Sequence, residues 1–142
     1  MECNMARDDT PRWHYRFENY ERALNLLKDA IAITSTRELT QLEREGVVQR
    51  FEYTWELAWK TLKDYLTYNG ITPETITPRS VIREAFAAQI IDNGELWMKA
   101  LDARNDMAHR YDEKLFARII LDIQNSYITL FESLYSFLKE KQ

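Results

Sequence analysis

Two side chains near residue 107, those of Arg104 and His109, have the types needed to break a phosphodiester bond. Arg104, His109 and Tyr111 fall within one stretch, residues 104–111, that also holds two short polar side chains. A histidine can move protons near neutral pH, and a guanidinium can hold a phosphate through two hydrogen bonds as charge develops. RNA supplies its own nucleophile in the 2′-OH, so a metal is not required. These residue types suit metal-independent cleavage of RNA.

Helical spacing does not make Arg104 and His109 a tight pair. Five positions on a helix turn about 140° and rise about 7.5 Å, so the two side chains leave the axis in different directions. They could converge on an extended ligand if the helix ends near His109, or if a second copy of the chain faces it across a cleft. Dimerisation is the simpler way to make such a cleft. Asn105, four residues before His109, could orient the imidazole.

A structural interpretation of the same residues stays open. Arg104 could form a buried ion pair with Glu52 or Glu56, and His109 could be a cation at a helix C-terminus. Residue types alone favour this interpretation, because structural ion pairs outnumber catalytic ones. Tyr111 could bind a ligand, accept a modification, or pack as a core or capping tyrosine, and its spacing alone favours packing.

Composition predicts a single helical domain spanning residues 1–142, with residues 1–11 as a loose terminus. Only 3 Gly and 3 Pro occur among 142 residues, which leaves few breaks for an all-β fold. Cys3 is the one cysteine, so an intramolecular disulfide is excluded. No leader-like segment or long apolar run suggests export or membrane insertion, so we expect a cytoplasmic protein.

Apolar spacing predicts an all-α antiparallel bundle of about five helices. The first helix carries Phe17 to Ile31, and Ser35 with Glu38 has the form of a capping box for the second. The second helix ends at Gly70, which suits a left-handed C-terminal cap. Gly46 falls inside this helix or at its true start, and close approach of another backbone would explain a mid-helix glycine.

The third, fourth and fifth helices are predicted in the same way, from capping residues and apolar spacing. Thr77 and Pro78 begin a third helix, which carries Ile82, Phe86 and Ile90 and stops at Asn93-Gly94. Asp92 with Glu95 resembles a capping box for a fourth helix, whose stripe is Trp97, Leu101, Arg104 and Ala108. The fifth helix begins near Asp112, with a heptad-like seam at Phe116, Ile120, Ile123, Tyr127, Leu130, Leu134 and Phe137.

Other kinds of chemistry find little support. Trp55, Trp59 and Trp97 could stack on bases, but aromatic residues at helical spacing more often belong to the core, as we expect for Trp55 and Trp97. The chain has no His/Cys cluster with zinc spacing, no glycine-rich phosphate loop and no serine or cysteine nucleophile in a recognisable setting. We therefore expect neither a metal nor a cofactor.

Two blocks of sequence resemble a known family. Residues 104–111 fit the pattern Arg, four residues, His, one residue, Tyr, and residues 43–66 resemble the long second helix of the same family. Together they are similar to HEPN domains, and specifically to the HepT-like toxins encoded beside a minimal nucleotidyltransferase. That branch has also been described as nucleotidyltransferase substrate-binding proteins. The resemblance covers about residues 15–138 and implies a four-helix up-and-down core.

The resemblance implies a toxin that acts as a metal-independent endoribonuclease. Arg104 and His109 from both subunits of a homodimer would line one cleft, Arg104 holding the scissile phosphate and His109 serving as acid and base. Asn105 and Asp106 would shape the site. The cognate nucleotidyltransferase would act as antitoxin by attaching AMP to Tyr111. The alternative is a non-catalytic subunit that binds nucleotide or another substrate for a separate nucleotidyltransferase.

The charge of the chain limits how RNA could bind. The formal net charge is -4, so bulk electrostatics would not draw the protein to RNA. A local basic patch would have to supply the attraction. Arg83, Lys99 and Arg110 are the candidates for that patch.

Overall fold

The structure is a computed structural model that describes residues 9–109 and 112–142. Those residues form helices and connections, with no strand among them. The elements in chain order are α1 (Arg12–Ile33), α2 (Gln41–Tyr68), α3 (Pro78–Ala87), α4 (Gly94–His109), α5 (Glu113–Asp122), a π-helical turn (Ile123–Tyr127) and α6 (Ile128–Lys141). Since α5, the π-turn and α6 run on without interruption, the all-α prediction of five helical segments is confirmed.

The long helices α1 and α2 form an antiparallel pair. Arg16, near the start of α1, meets Asp64 near the end of α2, with the arginine Nε 3.2 Å from Oδ2. Further along, Arg50 of α2 donates to the carbonyl oxygen of Leu26 in α1 at 2.7 Å. Contacts at matching distances from the connecting loop require the two helices to run in opposite directions. The pair supplies the wall against which the later helices pack.

The capping box of α2 differs from the predicted one. Thr40 accepts from the Glu43 backbone N–H at 3.2 Å, while the Glu43 carboxylate accepts from the Thr40 N–H at 2.9 Å. The prediction of a capping box at Ser35 and Glu38 is wrong. Ser35 follows the end of α1, and its hydroxyl donates back to the Ala32 carbonyl in the last turn of that helix. Both pairs of residues have the same spacing, so spacing alone does not distinguish them.

Gly46 lies inside α2 and does not mark its start. A Cβ built at Gly46 would meet nothing within 4 Å, so no close backbone approach requires glycine there. The packing explanation for this glycine is therefore wrong. Helix α2 accepts the glycine because it is long, with 28 residues, and its buried face contributes most of its stability.

Two helices end in the same way with different residues. Gly70 follows α2 with φ of 78°, and Ile71 N–H donates back to the Leu66 carbonyl at 2.9 Å, which confirms the predicted cap. After α3, Gln89 adopts φ of 61°, and Ile90 N–H donates to the Ala85 carbonyl at 2.9 Å. Because this cap ends α3 at Ala87, the prediction that the helix runs to Asn93-Gly94 is wrong.

The starts of α3 and α5 agree with the prediction, and the start of α4 does not. Thr77 accepts from the Ser80 N–H at 3.2 Å, and Asp112 accepts from the Lys114 N–H at 2.9 Å. For α4 the capping side chain is Asn93, which accepts from the Leu96 N–H at 3.3 Å. The predicted box of Asp92 and Glu95 is one residue out of register with this helix start.

An aromatic cluster ties the long helices together. Phe51 of α2 stacks on Tyr127, with ring centroids 5.5 Å apart, and lies 5.9 Å from Phe131. Trp97 of α4 meets the same Phe131 edge-on at 5.8 Å. Tyr20 of α1 donates its hydroxyl to the Phe131 carbonyl at 2.6 Å. Phe131 therefore joins α1, α2 and α4 to the last helix.

The predicted tryptophans and apolar seam lie in the core, with small exceptions. Trp55 and Trp97 are fully buried, and Trp59 is nearly so, which leaves Trp55 and Trp97 no surface for stacking on bases. The seam of the last helix is buried apart from Phe137, which is partly buried. In α4 the stripe is wrong at its end, since Ala108 is exposed and Met107 is buried instead.

Candidate active site

Arg104 reaches from α4 to a carboxylate on α2. Its Nη2 lies 3.0 Å from Glu56 Oε1, and the two side chains are 34% and 31% exposed. The other oxygen of that carboxylate, Oε2, lies 3.2 Å from the Lys60 ammonium nitrogen one helical turn further along α2. Glu56 is therefore shared between two cations. Arg104 therefore pairs with Glu56, as the structural alternative predicts, but the prediction that the pair is buried is wrong, because both side chains are about one-third exposed.

A second carboxylate faces the same guanidinium. Glu52 precedes Glu56 by four residues on α2, so both point to one side of the helix. Burial raises the pKa of Glu52, and the positive charge of Arg104 opposes that rise. Arg104 thus interacts with two acidic side chains, forming an ion pair with Glu56 and acting on Glu52 through its charge. Any phosphate that binds Arg104 must displace or share its contact with Glu56.

His109 and Asn105 lie at the last turns of α4. His109 is the final residue of the helix and is exposed to solvent. Asn105 is partly buried, and its amide oxygen accepts from Arg104 Nη1 at 3.4 Å, a long contact. The structure therefore brings Asn105 beside Arg104. The proposed role of Asn105 in orienting the imidazole stays a prediction.

Asp106 and Lys99 line a cavity on another side of α4. The cavity has a volume of about 530 Å³ and lies between α4 on one side and α5 with the π-turn on the other. The remaining polar side chains that line it are Asp102, Arg118, Asp122, Ser126 and Tyr127. We call it the α4–α5 cavity. Sequence reasoning missed Arg118, because only the packing of α5 against α4 brings it near Lys99.

Of the other predicted site residues, Arg83 is the one within residues 9–109 and 112–142. Arg83 lies exposed on α3 and does not line the α4–α5 cavity. Arg110 and Tyr111 lie outside the described residues, so the predictions for them stay predictions. Within residues 9–109 and 112–142, no group of three or more His, Cys, Asp or Glu side chains is placed to hold a metal ion. No helix in those ranges is long and apolar enough to cross a membrane.

Comparison with known proteins places this helical bundle in a class. Residues 15–140 match the family described as nucleotidyltransferase substrate binding protein like. A curated relative, the probable ribonuclease HepT of Haemophilus influenzae, is 30% identical over 99 residues, which is 68% of this chain and 64% of that protein. A crystal structure of a Thermus thermophilus protein superposes with a TM-score of 0.73 at 30% identity, covering 82% of this chain and 96% of that one.

These matches and the fold define an all-α protein of the HEPN class. The chain belongs to the nucleotidyltransferase substrate-binding-protein-like family, within its HepT-like branch, as the sequence predicts. The aligned region spans less than two thirds of the length of the Haemophilus influenzae relative.

Proposed function

We propose that the protein is the toxin of a toxin–antitoxin pair and cleaves RNA without a metal ion. The observation that carries this proposal is the placement of the two motif side chains. Arg104 is one-third exposed at the edge of the core, and His109 is exposed at the end of the same helix. Both are accessible to a ligand at one end of α4. A histidine ribonuclease needs this combination of a phosphate-binding cation and a proton carrier.

A second copy of the chain would complete the site. Arg104 and His109 leave α4 about 140° apart, so one helix does not present both to a single phosphate. In a homodimer, Arg104 of one protomer and His109 of the partner subunit can face the same phosphate from two sides. The printed name of the Haemophilus influenzae relative, probable ribonuclease HepT, supports the proposed cleavage of RNA.

The cleavage step needs only proton transfer and charge stabilisation. His109 takes the proton of the ribose 2′-OH, whose oxygen forms a bond to phosphorus as the bond from phosphorus to the 5′-oxygen breaks. A protonated imidazole returns a proton to that 5′-oxygen, giving a 2′,3′-cyclic phosphate and a 5′-hydroxyl. Arg104 neutralises the charge on the phosphate oxygens. When Arg104 moves to the phosphate, Lys60 keeps Glu56 partnered.

The proposed regulator is a cognate minimal nucleotidyltransferase that attaches AMP to Tyr111. Tyr111 follows His109 by two residues in the sequence. An adenylyl group on Tyr111 would add a negative phosphate and a bulky base two residues along the chain from His109. RNA would then be excluded by charge repulsion and by volume.

A second candidate function is supported by the acidic surroundings of Arg104. Because Glu56 holds the guanidinium and Glu52 lies beside it, Arg104 could serve mainly to fasten α4 to α2. The protein would then be a non-catalytic subunit that binds nucleotide or another substrate for a separate nucleotidyltransferase. The description of the matching family agrees with this alternative.

Cleavage of end-labelled RNA by the purified protein in EDTA separates the two candidates. The wild type should cleave, while His109→Ala and Arg104→Ala should each lose activity by at least about a hundredfold. His14→Ala, at the only other histidine, is the matched control and should retain activity. Cleavage that persists in His109→Ala would rule out the ribonuclease mechanism. Binding of nucleotide with no cleavage by the wild type would favour the substrate-binding subunit.

Mass analysis tests the proposed regulation separately. Co-expression with the neighbouring nucleotidyltransferase should increase the intact mass by one or more adenylyl groups. Peptide mapping should locate them at Tyr111, and Tyr111→Phe should remain unmodified. An unchanged mass, or an adenylyl group elsewhere, would contradict the assignment of Tyr111.

A further inference from the structure

We propose that the α4–α5 cavity is a subsite for the RNA backbone on one side of the cleaved bond, where Lys99 and Arg118 hold a flanking phosphodiester. This inference rests on the proposed ribonuclease function. It extends the site to the side of α4 that Arg104 does not reach. It also assigns a role to Arg118, which sequence reasoning did not select.

The two cations approach the cavity from opposite walls. Lys99 lies on α4 and Arg118 lies on α5, and both side chains are exposed at the cavity of about 530 Å³. Burial and the negative charge of Asp122 raise the pKa of Tyr127, and the positive charge of Arg118 opposes that rise, so Arg118 interacts with this wall of the cavity. Cations on facing helices can hold one phosphate group between them.

Neither Lys99 nor Arg118 forms an ion pair with an acidic side chain of the described residues. No carboxylate among the described residues lies within ion-pair distance of Lys99 or Arg118, whereas Arg104 is paired with Glu56. Of the acidic side chains at the cavity, Asp102 is paired with Arg79 at 3.3 Å. A phosphate can therefore bind Lys99 and Arg118 without breaking an existing ion pair.

The remaining carboxylates, Asp106 and Asp122, limit how the cavity binds an anion. With Asp102 neutralised, two acids and two cations line the walls, so the cavity has no excess positive charge. A free anion such as inorganic phosphate would therefore bind only weakly in the cavity. A nucleotide chain fits this balance better, because its phosphate meets the cations while exocyclic amines of a base can donate to the carboxylates.

The cavity lies on the side of α4 that carries His109. Asp102, Asp106 and His109 are separated by four and then three residues, so they share one face of the helix. Lys99 precedes His109 by ten residues, about 15 Å along the helix axis. A strand whose cleaved phosphate lies at His109 would pass the cavity with a phosphate a few nucleotides away.

The π-turn forms the far wall of the cavity. Ser126 and Tyr127 belong to this turn, and both line the cavity with hydroxyl-bearing side chains. The Ile128 N–H donates to the Ile123 carbonyl, five residues earlier, so the turn is wider than an α-helical turn. Such turns are rare and occur often at functional sites. The local widening adds a second feature that points to ligand binding here.

The test compares RNA binding and cleavage by Lys99→Ala, Arg118→Ala and the double variant. Binding of a single-stranded oligonucleotide is measured by fluorescence anisotropy in the His109→Ala background, over a range of salt concentrations. Removing one cation that binds a phosphate should reduce the slope of log affinity against log salt by about 0.7. Each single variant should weaken binding roughly tenfold, with KM for cleavage raised and kcat unchanged.

Two control variants keep the result interpretable. Lys114→Ala removes an exposed cation from the same α5 helix outside the α4–α5 cavity, and it should change neither slope nor KM. Arg118→Lys keeps the charge and should retain most of the salt dependence. If the Lys99→Ala/Arg118→Ala double variant had the same salt slope and the same KM as Lys114→Ala, the proposed subsite would be wrong.

The same experiment separates failure of the subsite from failure of the proposed function. A wild type that cleaves RNA, with a double variant that behaves like Lys114→Ala, overturns the subsite alone. A wild type that binds RNA without cleaving it contradicts the ribonuclease. In that case a reduced salt slope in the double variant still supports the cavity as an RNA-binding surface. A wild type that binds no RNA overturns both.

Discussion

Arg104 of α4 and Glu56 of α2 form an ion pair at 3.0 Å that joins two helices at the edge of the core. The pair holds the guanidinium in place and also competes with any phosphate for it. Replacing Glu56 with glutamine should therefore tighten RNA binding, because the guanidinium keeps a hydrogen-bond acceptor but loses a negative competitor. Anisotropy titrations should show a lower Kd, and a weaker complex would contradict this explanation.

The stability cost of Glu56→Gln should be small. Both side chains of the pair are about one-third exposed, and solvent-accessible ion pairs contribute at most about 1 kcal/mol. Chemical denaturation should show a decrease in the free energy of unfolding within that limit. A much larger decrease in the free energy of unfolding would mean that the ion pair is a main stabilising contact between α2 and α4.

The pKa of Glu52 should rise further in Arg104→Ala. Burial raises this pKa, and Arg104 counteracts it, so removal of the cation leaves the burial effect unopposed. A carboxyl whose pKa is higher in the folded state destabilises the fold as pH rises from its unfolded pKa to its folded pKa. The variant should widen that pH window. Carboxyl NMR titration measures the shift, and Arg79→Ala, whose partner is Asp102, should leave Glu52 unchanged.

Glu43→Gln should destabilise the protein at neutral pH and not at strongly acidic pH. The Arg37 guanidinium and the Thr40 N–H lower the pKa of Glu43 to about 2. A lowered pKa means that the stabilisation is complete above the ordinary value of 4.5 and disappears as pH falls through about 2. Thermal melting of wild type and variant should differ at pH 7 and converge near pH 2. Glu38→Gln, in the same connection, is the matched control.

The left-handed caps of α2 and α3 predict opposite effects of substitution. Gly70→Ala should cost about 1 kcal/mol, because φ of 78° strains a residue with a Cβ even though the Cβ would meet nothing within 4 Å. Gln89→Gly should stabilise by up to about 1 kcal/mol, because φ of 61° already strains glutamine. Denaturant midpoints measure both effects. If both variants changed the free energy of unfolding in the same direction, this explanation would be wrong.

The sequence predicted the helices better than their ends. Apolar spacing locates the five helical segments because burial of one face dominates helix stability in proteins. Helix ends depend on single hydrogen bonds, and Ser35 and Thr40 offer the same local pattern for a capping box. The end of α3 was missed because Gln89 occupies a position that usually requires glycine.

The site was predictable in its residue types and not in its surroundings. The pairing of Arg104 with Glu56 was among the alternatives, since Arg104 falls on the predicted apolar stripe of α4 and needs an acidic partner there. The cavity shared by Lys99 and Arg118 depends on how α5 packs against α4, and no local pattern encodes that arrangement. The structure keeps Arg104 and His109 on one helix, so the different directions predicted from their spacing follow from helical geometry.

The π-turn at Ile123–Tyr127 has a consequence for how this chain tolerates insertions and deletions. An i to i+5 hydrogen bond accommodates one residue more than an ordinary helical turn. Deleting one residue from the turn would leave a regular α-helix of the same axial length, with the aromatic residues on both sides keeping their contacts. The same deletion elsewhere in α5 or α6 would rotate the following residues by about 100° and turn Phe131 away from its neighbours. Length variants among relatives should therefore concentrate at this turn.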